Sequence, residues 1–177
     1  MAILTRDELQ RIPPPYRSFS DARIGELRKS ANMTKKPQVF LSHSHRDNDL
    51  ILNAIGLLSR FGGDPYVDWK DPGMPERTDA ETARTIRSKI TACPRFVLLA
   101  SDRALASRWV PWELGFSDAI KGLSRIAILP VKDTASEYAG NEYLQIYSAI
   151  KSTTDEDFAV FAPGETKGVS LRSWIAE

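Results

Sequence analysis

From residue 38 onward the chain alternates between short apolar runs and longer segments whose apolar positions recur every three or four residues. The short runs are "QVFLS" (38–42), "PYVDW" (65–69), "RFVLLAS" (95–101), "RIAILPV" (125–131) and "DFAVFA" (157–162). Their length and their β-branched and aromatic content fit strands, and nearly continuous hydrophobicity fits strands covered on both faces. Between the first two, "DNDLILNAIGLLSRF" sets Leu50, Ile51, Ala54, Leu57, Leu58 and Phe61 on one helical stripe, and Gly62-Gly63 stop it. "TDAETARTIRSKI" opens with Thr78 and Glu81 in capping-box spacing and carries Ala83, Ile86 and Ile90 inward. "WVPWELGFSDAIKG" reads as a helix with Pro111 in its first turn and Gly122 at its end. "NEYLQIYSAI" (141–150) and "SLRSWIAE" (170–177) read as two more helices, the second capped by Ser170.

Residues 1–36 follow a different pattern. Thr5 and Glu8 make a capping box in "TRDELQRI", "PPP" ends that helix, and "SDARIGELRKSA" offers a second short helical piece. Neither segment can hold a core alone. A helical extension over 1–36, packed on a main domain over 37–177, is the expected organisation.

Strands alternating with helices of this length predict an α/β fold: a five-stranded parallel sheet flanked by helices in three layers, in flavodoxin-like order. Ligands of such sheets bind outside the carboxyl ends of the strands. Here those ends are "SHSH", "DWKDPG", "SDRALASRW" and "VKD".

Composition narrows the function. The 177 residues suit one compact domain with a short appendage. A net charge of +1 gives no reason to expect nucleic acid or a membrane surface as partner. Cys93 is the single cysteine, which excludes an internal disulfide and a multi-thiolate metal site. No apolar run could span a bilayer, and the first residues lack the apolar core of a signal peptide, so a cytoplasmic location is expected.

Glu113, which follows Trp109 and Trp112 in the first turn of a helix on the crevice side, is the first candidate for chemistry. A carboxylate in an aromatic-lined crevice suits a developing positive charge, such as an oxocarbenium-like sugar. Alternatively, the tryptophans anchor the helix on the sheet and Glu113 complements its dipole. In "SHSHRD", alternation turns His43 and His45 to one side and Ser42 and Ser44 to the other. These side chains suit ribose or phosphate contacts or a helix cap. No cysteine or clustered carboxylate completes a metal set, so no metal is expected. Trp69 offers a face on which a base can stack, or it packs down in a surface turn. A phospho-acceptor domain is excluded, because an acidic pair ending the first strand and an aspartate ending the third are lacking. So are a Walker loop, a G-x-G-x-x-G fingerprint and a hydrolase nucleophile elbow.

Together, "VFLSHSHRD", "WKDPGMP" and "SRWVPWELGFSDA" resemble the first box, the second box and the Trp-x-x-x-Glu segment of the Toll/interleukin-1 receptor (TIR) domain, in its bacterial immune, NAD-consuming form. The resemblance runs from about Gln38 to the end. The family's third box is not matched, since "SLRSWI" has a tryptophan without the Phe-Trp pair. It implies an enzyme that cleaves the nicotinamide–ribose bond of NAD+, with Glu113 catalytic and Trp109 shaping the pocket. It further implies Ser42 and His43 as ribose or phosphate contacts, and Trp69 and Asp71 as groups that stack on or orient the dinucleotide. NAD+ would be the substrate, with no cofactor. Hydrolysis, cyclisation or transfer of ADP-ribose would follow, in anti-phage signalling or NAD depletion. Self-association through TIR–TIR contacts and a downstream effector that senses the product are the implied partners. A non-enzymatic TIR adaptor and a nucleoside deoxyribosyltransferase-like enzyme are the rivals, and "KDPG" favours TIR over the latter.

Overall fold

A computed structural model of the chain describes residues 2–15, 36–68, 80–132, 142–154 and 157–177. The elements in order are β1 (Leu4–Thr5), α1 (Arg6–Gln10), β2 (Gln38–Ser42), a 3-10 turn (His45–Asp47), α2 (Asn48–Arg60) and β3 (Asp64–Tyr66). Then come α3 (Ala80–Ala92), β4 (Arg95–Ala100), α4 (Asp102–Leu105), α5 (Trp109–Lys121) and β5 (Ile126–Lys132). A 3-10 segment (Glu142–Ile146), β6 (Ser148–Ser152), β7 (Phe158–Phe161), β8 (Val169–Ser170) and α6 (Leu171–Ala176) complete the chain.

Five strands run parallel in the order β3-β2-β4-β5-β6, the flavodoxin-like arrangement expected. The sheet then continues beyond that expectation, with β7 and β8 added antiparallel. Side-chain alternation divides the core into two layers. Val39, Leu41, Val97, Leu99, Ala127 and Leu129 face α2 and α6. Phe40, Phe96, Leu98, Ile126 and Ile128 face α3 and α5. Phe40 stacks on its cross-strand partner Phe96 with ring centroids 5.6 Å apart.

The helical stripe read in "DNDLILNAIGLLSRF" becomes α2, with Leu50, Ile51, Ala54, Leu57 and Leu58 fully buried. Removing one such leucine side chain would cost about 2–5 kcal/mol. Gly62 follows with φ +95, a left-handed turn that L side chains rarely adopt.

Three readings need correction. "PYVDW" forms only a three-residue strand, because it lies on the sheet edge and Pro65 contributes no N–H. "NEYLQIYSAI" is not a helix. Leu144 and Tyr147, three apart, bury through a 3-10 segment, and Ser148–Ser152 then pair with both β5 and β7. Strand pairing outweighs a periodicity too short to discriminate. "DFAVFA" is therefore not the fifth parallel strand but an antiparallel neighbour of it.

At the N-terminus the Thr5–Glu8 capping box forms as read. Leu4 and Thr5 extend the sheet beside Val131 and Lys132, past the point where β6 has left β5. The following turn is clipped to α2: the Asn53 side-chain amide donates to the carbonyls of Gln10 and Ile12 at 3.1 and 2.7 Å. Gly56 lets the Pro13 carbonyl press against the helix, for a Cβ there would lie 2.3 Å from that oxygen. The second helical piece, "SDARIGELRKSA", and the cap Thr78 lie outside the described residues.

Candidate active site

The ends of three strands and one helix bring side chains to the carboxyl edge of the sheet. Ser42 ends β2, Asp68 follows β3, Ser101 follows β4, and Glu113 projects from α5. Glu113 lies past the first turn of α5, which begins at Trp109, rather than in that turn. The unpaired N–H groups of the helix start therefore lie behind it, and its environment is set by burial.

Ser42 Oγ donates to Glu113 Oε2 at 2.5 Å, linking β2 to α5. Both side chains are buried. Loss of hydration pushes the Glu113 carboxyl up to about 8; the Ser42 hydrogen bond opposes this, and the charge of Asp68 adds to it. Desolvation thus dominates the charge state of Glu113. Trp109, four residues earlier on the same helical face, packs against the α3–α5 side of the core and meets Trp112 edge-on at 5.3 Å. Trp112 stacks on Phe116, over which the Arg87 guanidinium lies at 4.8 Å.

His43 is buried beside Ser42, and its Nδ1 lies 3.2 Å from the Leu41 carbonyl. His43 and His45 do fall on one side, ring centroids 5.8 Å apart. Between them stands Asp68, whose oxygens lie 3.9 Å from His43 Nε2 and 3.7 Å from His45 Nε2. Ser44 takes the other role considered: it caps the 3-10 turn by accepting from Arg46 N. Trp69 and Asp71 lie outside the described residues.

Sequence reasoning missed a supporting bond one shell out. Asp47, fully buried, accepts from Ser101 Oγ at 2.6 Å, tying the turn after β2 to the turn after β4. Burial pushes its carboxyl above the usual range, with Ser101, then Arg6 and Arg103, pulling it back. Ser101 also caps α4, a short helix within the stretch "SDRALASRW". Asp68 was likewise missed. Its signal was its position just past β3, at a crevice end, opposite the histidine pair.

A cavity of about 420 Å³ lies elsewhere, lined by Ile128, Pro130, Leu144, Tyr147, Lys151 and Phe161 among others. Neither Glu113 nor Ser42 lines it.

A profile of the TIR domain matches residues 39–160. The chain belongs to the TIR-domain family. Within it, a "Probable 3' cyclic ADP-D-ribose synthase ThsB'" of Bacillus cereus (strain MSX-D12) is 31% identical over 158 residues, spanning 84% of this chain and 80% of the relative. A "Putative cyclic ADP-D-ribose synthase TIR2" of Cytobacillus dafuensis is 28% identical over 82 residues, 45% of this chain and 22% of that protein. Among the described residues of this TIR protein, no helix is long and apolar enough to cross a membrane.

Proposed function

We propose that this TIR protein breaks the nicotinamide–ribose bond of NAD+ and closes the ADP-ribose fragment into a ring, with Glu113 as the catalytic carboxylate. The observation that carries the reading is the buried Ser42–Glu113 pair at the carboxyl edge of the sheet. Kinship with proteins named as cyclic ADP-ribose synthases supports cyclisation over plain hydrolysis.

In NAD+ the nicotinamide nitrogen is already cationic. When its bond to the ribose breaks, the electron pair leaves with neutral nicotinamide and the positive charge passes to the sugar. A carboxylate beside that sugar stabilises the charge as it develops, and the leaving group needs no proton. A hydroxyl oxygen of the adenosine end then attacks the same carbon and gives up its proton, or a ring nitrogen of the adenine attacks and the proton leaves from the exocyclic amino group; either closes the ring.

A carboxyl held near 8 is mostly protonated at neutral pH. The cationic ring of bound NAD+ favours the ionised form, so substrate itself completes the charge of the site. Burial of Glu113 also requires an opening before a ribose can touch it, and self-association through TIR–TIR contacts is the proposed trigger. The cyclic nucleotide would act as a cytoplasmic signal in anti-phage defence, read by a separate effector.

Mass spectrometry of NAD+ incubated with concentrated protein tests this. Nicotinamide and a cyclic ADP-ribose are expected, and Glu113→Gln should abolish both while melting cooperatively. Full activity in that variant would remove Glu113 from the mechanism. Intact NAD+ under every assembly condition would favour the adaptor reading.

A further inference from the structure

The His43–Asp68–His45 cluster lies beside the Ser42–Glu113 pair, and its atoms are arranged for a further chemistry. We propose that His43 Nε2, His45 Nε2 and the Asp68 carboxylate form a binding site for one divalent transition ion of the zinc class. One donor atom from each of the three residues lies within 4.8 Å of the others. The two nitrogen–oxygen separations are 3.9 and 3.7 Å. Ligands about 2.0–2.2 Å from a tetrahedral ion stand roughly 3.3–3.5 Å apart, so drawing in a pair as wide as 4.8 Å needs a shift of roughly 1 Å or a little more. His45 can supply it, for its side chain is 71% exposed.

The second observation is the anchoring of His43. The Leu41 carbonyl can only accept, so the hydrogen bond at 3.2 Å places the proton on Nδ1. In the neutral ring this leaves the Nε2 lone pair directed at the Asp68 side, the tautomer that a ligating histidine needs. A backbone carbonyl holding the distal ring nitrogen is the usual outer support of such a ligand. His43 is also buried, so its ring orientation is fixed before any ion arrives.

Two imidazoles with one carboxylate suit zinc, cobalt, nickel or iron rather than the oxygen-rich shells of calcium and magnesium. Three protein ligands leave a fourth position for water or a substrate oxygen. The sequence reading expected no metal because it found no carboxylate near the histidines; β3 delivers one from a distant part of the chain.

The test uses the full chain, freed of any histidine tag and treated with chelator, and reads binding without nucleotide, so its outcome is separate from that of the NAD+ reading. Co2+ is titrated by its visible absorption and Zn2+ by calorimetry. One saturable ion per chain is expected, with the intense bands of tetrahedral Co2+. His45→Ala and Asp68→Asn should each weaken binding at least about tenfold. His45→Ala is the fold-safe variant, since its ring is exposed, and its metal-free melting temperature should equal that of the wild type. The proposal is overturned if no saturable site appears, if both variants bind like the wild type, or if only Mg2+ or Ca2+ binds.

Discussion

Removing the Ser42 hydroxyl isolates what one hydrogen bond does to the carboxyl at the centre of the site. In Ser42→Ala, Glu113 loses the 2.5 Å bond that opposes the effect of its burial. A hydrogen bond to a charged group is worth about 1.5–3 kcal/mol. At about 1.36 kcal/mol per pKa unit, the Glu113 carboxyl should therefore move about one to two units above its present value of about 8. Ionised Glu113 at neutral pH would then fall about 10- to 100-fold, and kcat/KM for NAD+ with it, because that ratio follows the free enzyme. The assay is kcat/KM against pH for both proteins, read from the acid limb of each profile. The expected result is a limb displaced to higher pH, with the variant recovering towards wild-type activity in base. An equal loss at every pH would refute the reasoning, showing that Ser42 acts by touching substrate or shaping the site. An unmoved limb with normal activity would show that the bond has no influence on the charge.

Other consequences can be measured without turnover. Because the folded-state pKa of Glu113 is raised from 4.5 to about 8, the unfolded chain gives up its proton first. This group's stabilising contribution is thus complete below about pH 4.5 and lost as pH rises to about 8, a change on the order of a few kcal/mol. Glu113→Gln should remove that loss, so its melting temperature should gain on the wild type across this window; a constant difference would contradict the assigned burial. Gly56→Ala should destabilise the intact chain, since the added methyl meets the Pro13 carbonyl, but stabilise a chain lacking residues 2–15 by about 1 kcal/mol through helix propensity. Thermal melts of the four combinations test this, and the same sign in both backgrounds would rule out the clash.

The parts of the fold legible in the sequence were those whose pattern is long or continuous. The stripe of α2 repeats over three turns, and β4 and β5 are apolar but for Arg95 and Lys132 at their ends, so tertiary context could only agree with them. Residues 141–150 were misread because apolar positions three apart fit a helix, a 3-10 segment and the entry to a strand alike. Only the neighbours β5 and β7 decide, and they are remote in sequence. At the site, Glu113 and Ser42 were each legible as crevice residues, but their bond spans 71 positions and no local rule announces it. Asp68 stayed hidden for the same reason. Its meaning comes from two histidines on the neighbouring strand's loop.

The pairing of Leu4 and Thr5 with Val131 and Lys132 bears on how this molecule is made. On the ribosome the short leading strand emerges long before the strand it must join, and Asn53 can hold its trailing turn in the meantime. The sheet can be completed there only after the chain has been synthesised through Lys132. Long-range closures of this kind slow folding and leave edges waiting. A bulky fusion placed ahead of Leu4 would burden that late docking step more than it would disturb the carboxylate across the sheet.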